Sequence, residues 1–254
     1  MQVEVEEPFG VNLPLLLLQD ERMLEAVVNA GVRFVTTSAG NPAKYLPRLK
    51  DAGITVYHSV ATLKMAERAI AAGVDGLVVE GHEGAGFKNP AAVSTLVLLR
   101  AVRSRSEIPM LAAGGIADGY GMAAVFAAGA EGVQMGTRFL ASQESPVHPN
   151  YKQAILNAAE TGTMTINENG RPIMRVLKTA KAENIGRGPM PDDTLNAIQR
   201  LYFEGTMEDS VALAGQSAGL VQDLPTVAEI MERIVAEFFA AWQAGAQRGM
   251  QKKF

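Results

Sequence analysis

The sequence predicts a parallel α/β fold of the (β/α)8 TIM-barrel type, on three observations. Short apolar runs alternate with helix-like stretches. Ala-Gly pairs that end helices recur at the period of a βα unit. Two successive strands each end in a glycine corner. The pairs are Ala30-Gly31, Ala52-Gly53, Ala72-Gly73 and Ala128-Gly129. The first three glycines stand 22 and 20 residues apart, from Gly31 to Gly53 to Gly73. Glycine at such a place ends a helix in the left-handed conformation. Strand and helix signals alternating at this period define a parallel sheet with helices on its face.

Strands are expected at about 8–13, 33–38, 54–60, 75–80, 109–113 and 132–135. These runs are apolar at successive positions, as in strands buried on both faces. Helices are expected at about 20–30, 42–52, 62–72, 91–104, 119–129 and 149–160. The first takes Asp20 as N-cap and aligns Met23, Leu24, Val27 and Val28. The second has Asn41 as cap and Pro42 at its first position, and the third opens on Thr62. Six strands are two short of a closed barrel, so the sheet is open or two leading βα units are lacking. A doubly wound sheet is the other six-stranded solution, but no Gly-x-Gly-x-x-Gly turn follows the first strand.

The alternation stops near residue 161. The expected organisation is a βα portion over 1–160, a helical lid-like segment over 161–224, and a helix with tail over 225–254. Within the middle segment, Asn167 to Pro172 reads as a turn and Gly186 to Pro191 as a loop. Residues 193–203 and 207–221 read as helical, and 225–244 as a long amphipathic helix.

The totals exclude several classes of function. The chain has 254 residues, a net charge of −4 and no cysteine. Disulfides, thiolate nucleophiles and zinc–sulfur sites are ruled out. The mild acidity argues against nucleic acid or an anionic membrane as partner. Three histidines, His58, His82 and His148, lack ligand spacing on one element, so no metal site is expected. The apolar run Leu13 to Leu18 is far too short to span a bilayer. The acidic start is unlike a secretory signal, so a cytoplasmic protein is expected, with a homo-oligomer as one option.

The chemistry concentrates in 109–140. Met110-Leu111-Ala112-Ala113 runs into Gly114-Gly115, and Gly132-Val133-Gln134-Met135 runs into Gly136-Thr137. Bare backbone N–H groups at a helix-opening glycine corner suit a phosphate. Two such corners on consecutive units match the phosphate site of (β/α)8 barrels. A single such corner is as well read as an ordinary tight turn. The second cluster is Glu80 to Pro90, with three glycines, His82 as a proton carrier, two glutamates to tune it, and Lys88 to pair with an anion. Asn12 and Ser59 end the first and third strands. His58 reads as a core residue, and His148 as one that fixes its loop.

Taken together these residues resemble the nitronate monooxygenase family, to which the flavin-dependent enoyl-ACP reductase is related. The resemblance rests on Pro8 to Asn12, Thr37 to Pro42, Glu80 to Gly86, Ala112 to Gly119, Gly132 to Phe139, Ser145 to Lys152 and Ala214 to Val221. It implies a barrel with FMN at its mouth and a helical domain beside it. Gly114, Gly115, Gly136 and Thr137 would bind the FMN phosphate. Asn12, Ser59, Ala85 and Gly86 would lie along the ribityl chain and ring. The implied activity is oxidation of a small carbon acid such as a nitronate with oxygen. Flavin-dependent enoyl reduction with NAD(P)H and catalytically silent FMN or phosphate binding are the alternatives. The family's histidine is replaced by Phe87, which cannot move a proton, so His82, Lys88 or a water would have to act.

Overall fold

The computed structural model describes residues 9–18 and 22–251. Six strands form one parallel sheet: β1 (Gly10–Pro14), β2 (Phe34–Ser38), β3 (Thr55–Val60), β4 (Gly76–Glu80), β6 (Met110–Ala113) and β7 (Gly132–Gln134), in that spatial order. β5 (Gly86–Lys88) leaves this sheet. Helices α1 (Arg22–Asn29), α2 (Leu46–Asp51), α3 (Leu63–Ala72), α4 (Thr95–Arg103) and α5 (Gly119–Ala127) make the crossovers. Each expected strand lies within two residues of an observed one. The first expected helix is present as α1; its cap, Asp20, lies outside the described residues. The second is split into a 3-10 turn at Pro42–Lys44 and α2, with the Asn41 side chain accepting from the Ala43 N–H at 3.1 Å.

Local chemistry sets these boundaries. The Thr62 hydroxyl caps α3 through the Met65 N–H at 3.2 Å, and Gly73 ends the helix at φ +92°. The sheet's outer face carries Val35, Val56, Leu77, Val79 and Met110, all with no exposed surface, against the helices. Each such side chain contributes about 1.5–3 kcal/mol by leaving water. The register lines up three rows on the inner face: Asn12, Thr36, Tyr57 and Gly76; then Ser59, Val78, Leu111 and Gly132; then Glu80, Ala113 and Gln134 at the C-terminal rim. Tyr57 lies flat across Gly76, where a Cβ would come 2.3 Å from the phenol carbon. Phe34 meets the Tyr57 ring edge-on at 5.1 Å.

Beyond β7 follow α6 (Thr137–Leu140), α7 (Pro149–Leu156), β8 (Thr163–Ile166), β9 (Ile173–Leu177), α8 (Ala180–Ile185), α9 (Thr194–Glu204) and α10 (Val227–Gln251). The stretch 161–224 therefore differs from an all-helical reading. β8 and β9 form an antiparallel hairpin, and β5 adds to β9. The expected helix over 207–221 is corrected to an irregular connection ending in a 3-10 turn at Gln216–Leu220. Val211, Ala212, Ala214, Ser217 and Ala218 are all buried, so 211–218 lacks the exposed polar face of an amphipathic surface helix. α10 packs on α5, where the absence of a side chain at Gly119 lets the helix backbones meet. A Cβ there would stand 2.3 Å from the Ile234 carbonyl oxygen. Phe238 adds an edge-on contact with Phe126 at 4.9 Å.

Candidate functional site

The two glycine corners open into one cavity of about 120 Å³ at the C-terminal rim of β4, β6 and β7. Gly114 and Gly115 have φ of +90° and +78°, which bare glycine adopts without strain. Gly114 sits against the loop after β4, where a Cβ would come 2.8 Å from the Gly84 nitrogen. Gly136 faces open space on its would-be Cβ side. Among the described residues, the N–H groups of Gly115, Gly136 and Thr137 have no protein acceptor. The Thr137 hydroxyl oxygen accepts from the Gly215 N–H at 3.0 Å, leaving its own proton for the cavity. The Ser217 hydroxyl, also on the lining, has no hydrogen-bond partner among the described residues.

The N-terminus of α5 does not face a ligand with bare donors. The Gly121 N–H donates to Asp118 Oδ1 at 2.7 Å and the Gly119 N–H to Glu237 Oε2, from α10, at 2.9 Å. Two of the chain's own carboxylates hold that positive helix end. The donors left for an anion belong to the corners themselves.

Two glutamates also line the cavity, and both have their charge taken up. Glu83 accepts from the Thr95 N–H at 3.1–3.2 Å, so it caps α4. Glu80 accepts from Ser59 Oγ at 3.3 Å and pairs with the Lys88 ammonium, whose side chain is 6% exposed. The Thr95 hydroxyl lies 2.9 Å from the Gly114 carbonyl and ties the first corner to α4. Arg175 donates to the His82 carbonyl at 2.8 Å and holds the 82–85 loop from β9. Burial pulls the Arg175 pKa down, and the charges of Glu83 and Glu168 oppose that.

Of the residues expected to bind cofactor, Ala85, Gly114, Gly115, Gly136 and Thr137 share the cavity lining. Asn12 and Ser59 lie outside it on the inner face of the sheet. Asn12 Oδ1 accepts from Thr36 Oγ1 at 3.0 Å. Gly86 is buried within β5, opposite Arg175. His82 is not on the lining. Its Nδ1 lies 3.4 Å from Glu83 Oε2 without forming a hydrogen bond. Lys88 reaches the cavity only through Glu80. Phe87 is 42% exposed. Gly215, Ser217 and Gln134 also line the cavity, although none is among the residues expected to bind cofactor. The small-residue run Ala214 to Gly219 is the one signal that pointed toward the first two.

A six-stranded parallel sheet with crossover helices and glycine corners at its C-terminal rim defines a mixed α/β protein with a half-barrel sheet. Comparison with known proteins narrows the class. The family model for nitronate monooxygenase matches residues 2–237, and the chain belongs to that family. It is 32% identical to a nitronate monooxygenase of Pseudomonas aeruginosa, over 89% of this chain and 69% of the relative. It is 30% identical to a (3aS,4S,5R,7aS)-5-hydroxy-7a-methyl-1-oxo-octahydro-1H-indene-4-carboxyl-CoA dehydrogenase of Mycobacterium tuberculosis, over 91% and 78%. Among solved structures it resembles FabK from Thermotoga maritima, with 38% identity and a TM-score of 0.89, covering 97% of this chain and 80% of that one. A nitroalkane oxidase from Streptomyces ansochromogenes matches at 26% identity and a TM-score of 0.79, over 94% and 83%. The chain is an oxidoreductase of this family. No helix among the described residues is long and apolar enough to cross a membrane.

Proposed function

We propose that the chain uses FMN, held by its phosphate in the glycine-lined cavity, to oxidise a small carbon acid such as a nitronate with oxygen. One observation carries the reading: free N–H groups from two corners and free hydroxyl protons from Thr137 and Ser217 face a single small volume. The fit is good for an anion and small for anything larger. Pockets for whole drug-sized ligands run to about 300–1,000 Å³. At about 120 Å³ this cavity suits the phosphate end, with the rest of the cofactor lying over the inner face toward Ser59 and Asn12. Flavin, when bound, supplies the redox chemistry. The chain's own residues bind and orient it. Gly115, Gly136, Thr137 and Ser217 donate to the phosphate. Glu83 stays on α4 and Glu80 on Lys88, so neither leaves an uncompensated charge facing it. We read 161–224 as a cover over this mouth, clasped to the 82–85 loop by Arg175 and by Gln216, whose N–H donates to the Glu83 carbonyl at 2.9 Å. The six-stranded sheet is read as part of a (β/α)8-type barrel.

With Phe87 at the family's histidine position, proton transfer falls to His82, Lys88 or a water. That substitution also keeps NAD(P)H-dependent enoyl reduction as a second reading, which the likeness to FabK favours.

Titration of the purified chain with FMN and with riboflavin tests the cofactor assignment. FMN should bind at least tenfold tighter than riboflavin, which lacks the phosphate. Equal binding of the two, or none of either, refutes it. Bleaching of the bound flavin by a nitronate rather than by NADH supports the first activity over the second.

A further inference from the structure

A second cavity, of about 640 Å³, opens in the helix layer, away from the glycine corners. One face of α3 (Met65, Ala69, Ala72) and the Gly40–Ala43 turn form its walls. Its lining carries one charged side chain, the exposed Arg68, and one buried ring, His58, which is 3% exposed. Among the described residues Arg68 has no carboxylate partner. Among the described residues no acidic side chain lines the cavity.

The His58 ring is set by Thr37. Thr37 Oγ1 stands 2.8 Å from Nδ1 and donates its single proton to the Tyr57 carbonyl at 3.4 Å. With the hydroxyl proton on that carbonyl, the Thr37 oxygen accepts from Nδ1–H, the tautomer that the nitrogen labelling below tests, and a hydrogen bond to the Thr37 backbone opposes part of the effect of burial on the ring. Nε2 is left as a lone pair. No described group donates to it, and the residue lines the cavity. Burial keeps the ring neutral by lowering its pKa to about 4. One acceptor, one cation and apolar walls define the ligand chemistry.

We propose that this cavity is a second small-molecule site, for a hydroxy acid with a short aliphatic body. The carboxylate pairs with Arg68, the chain lies on Met65, Ala69 and Ala72, and the hydroxyl donates to His58 Nε2. This site is independent of the cofactor assignment.

The test uses 6-hydroxyhexanoate, with hexanoate and 1-hexanol as probes that each lack one polar end. Saturable binding of 6-hydroxyhexanoate is expected by calorimetry, with each partial probe at least fivefold weaker. Arg68→Ala should weaken binding at least fivefold, and Ala72→Phe should block it, with folding checked by circular dichroism. If Ala72→Phe does not fold, Arg68→Ala decides. In protein labelled with 15N-histidine, His58 should carry its proton on Nδ1, and its Nε2 resonance should move only with probes bearing a hydroxyl. Saturating FMN should not compete. The proposal is overturned by no saturable binding, by unchanged affinity in the folded variants, by competition with FMN, or by a proton found on Nε2.

Discussion

Replacing Lys88 with methionine removes the cation from the Glu80 carboxylate while keeping the side chain's length. Breaking a buried ion pair from one side costs about 3–5 kcal/mol. An exposed pair is worth about 0–1 kcal/mol. This pair lies between: the Lys88 side chain is 6% exposed and that of Glu80 is 27% exposed. The surviving carboxylate keeps some access to water and the bond from Ser59 at 3.3 Å. We therefore expect Lys88→Met to cost about 2 kcal/mol, or roughly 4–8 °C in Tm for a chain of this size. FMN affinity should fall with it, because an unneutralised Glu80 would face the phosphate. The double variant Lys88→Met, Glu80→Gln should regain most of the stability and affinity, since no charge is then left unpaired. Urea unfolding and flavin titration of the four proteins close the cycle. Lys88→Met as stable as the parent, or a double variant worse than either single one, would sink the reasoning.

Further outcomes are expected at two glycines and one histidine. Gly114→Ala places a methyl group at φ +90° and against the Gly84 backbone, so it should cost about 2–3 kcal/mol and weaken FMN at least tenfold. Gly136→Ala has φ −102° and meets nothing within 4 Å, so it should stay within about 0.5 kcal/mol of the parent. Equal losses in chemical denaturation would contradict that contrast. His58 should make folding pH-dependent. Its pKa is about 4 in the fold against an ordinary 6.5, so between those values the unfolded chain binds more protons. Stability should rise from about pH 4 to about pH 6.5, by about 3 kcal/mol from this residue, and a His58→Asn variant should flatten the slope. An unchanged slope in the denaturation midpoint refutes it.

The parallel layers were readable because each strand's apolar run is bounded by a cap or a left-handed glycine, as at Thr62 and Gly73 around α3. The glycine corners were readable for the same reason. The antiparallel sheet was not. β8 is only four residues, and β9, Ile173–Leu177, is buried throughout and so shows no alternation. The stretch 207–221 resembles a helix in its small and apolar residues, but burial of Ser210 to Ala212, Ala214, Ser217 and Ala218 makes its middle a threaded connection. Within the site, the partners that decide each role are distant in the chain. Glu237 reaches Gly119 across 118 residues, and Gly215 reaches Thr137 across 78. No local pattern carries such pairings, and the same distance kept Gly215 and Ser217 out of the expected set.

Tyr57 and Gly76 impose an order on change. The ring occupies the volume that any side chain at 76 would need, on a floor shared by neighbouring strands. A larger residue at 76 is therefore admissible only after 57 has shrunk, whereas trimming 57 first leaves a hole that the chain can survive. Library screens that vary these two positions singly will score 76 as immutable, and only paired variation will show that the ring's volume can be supplied from either strand.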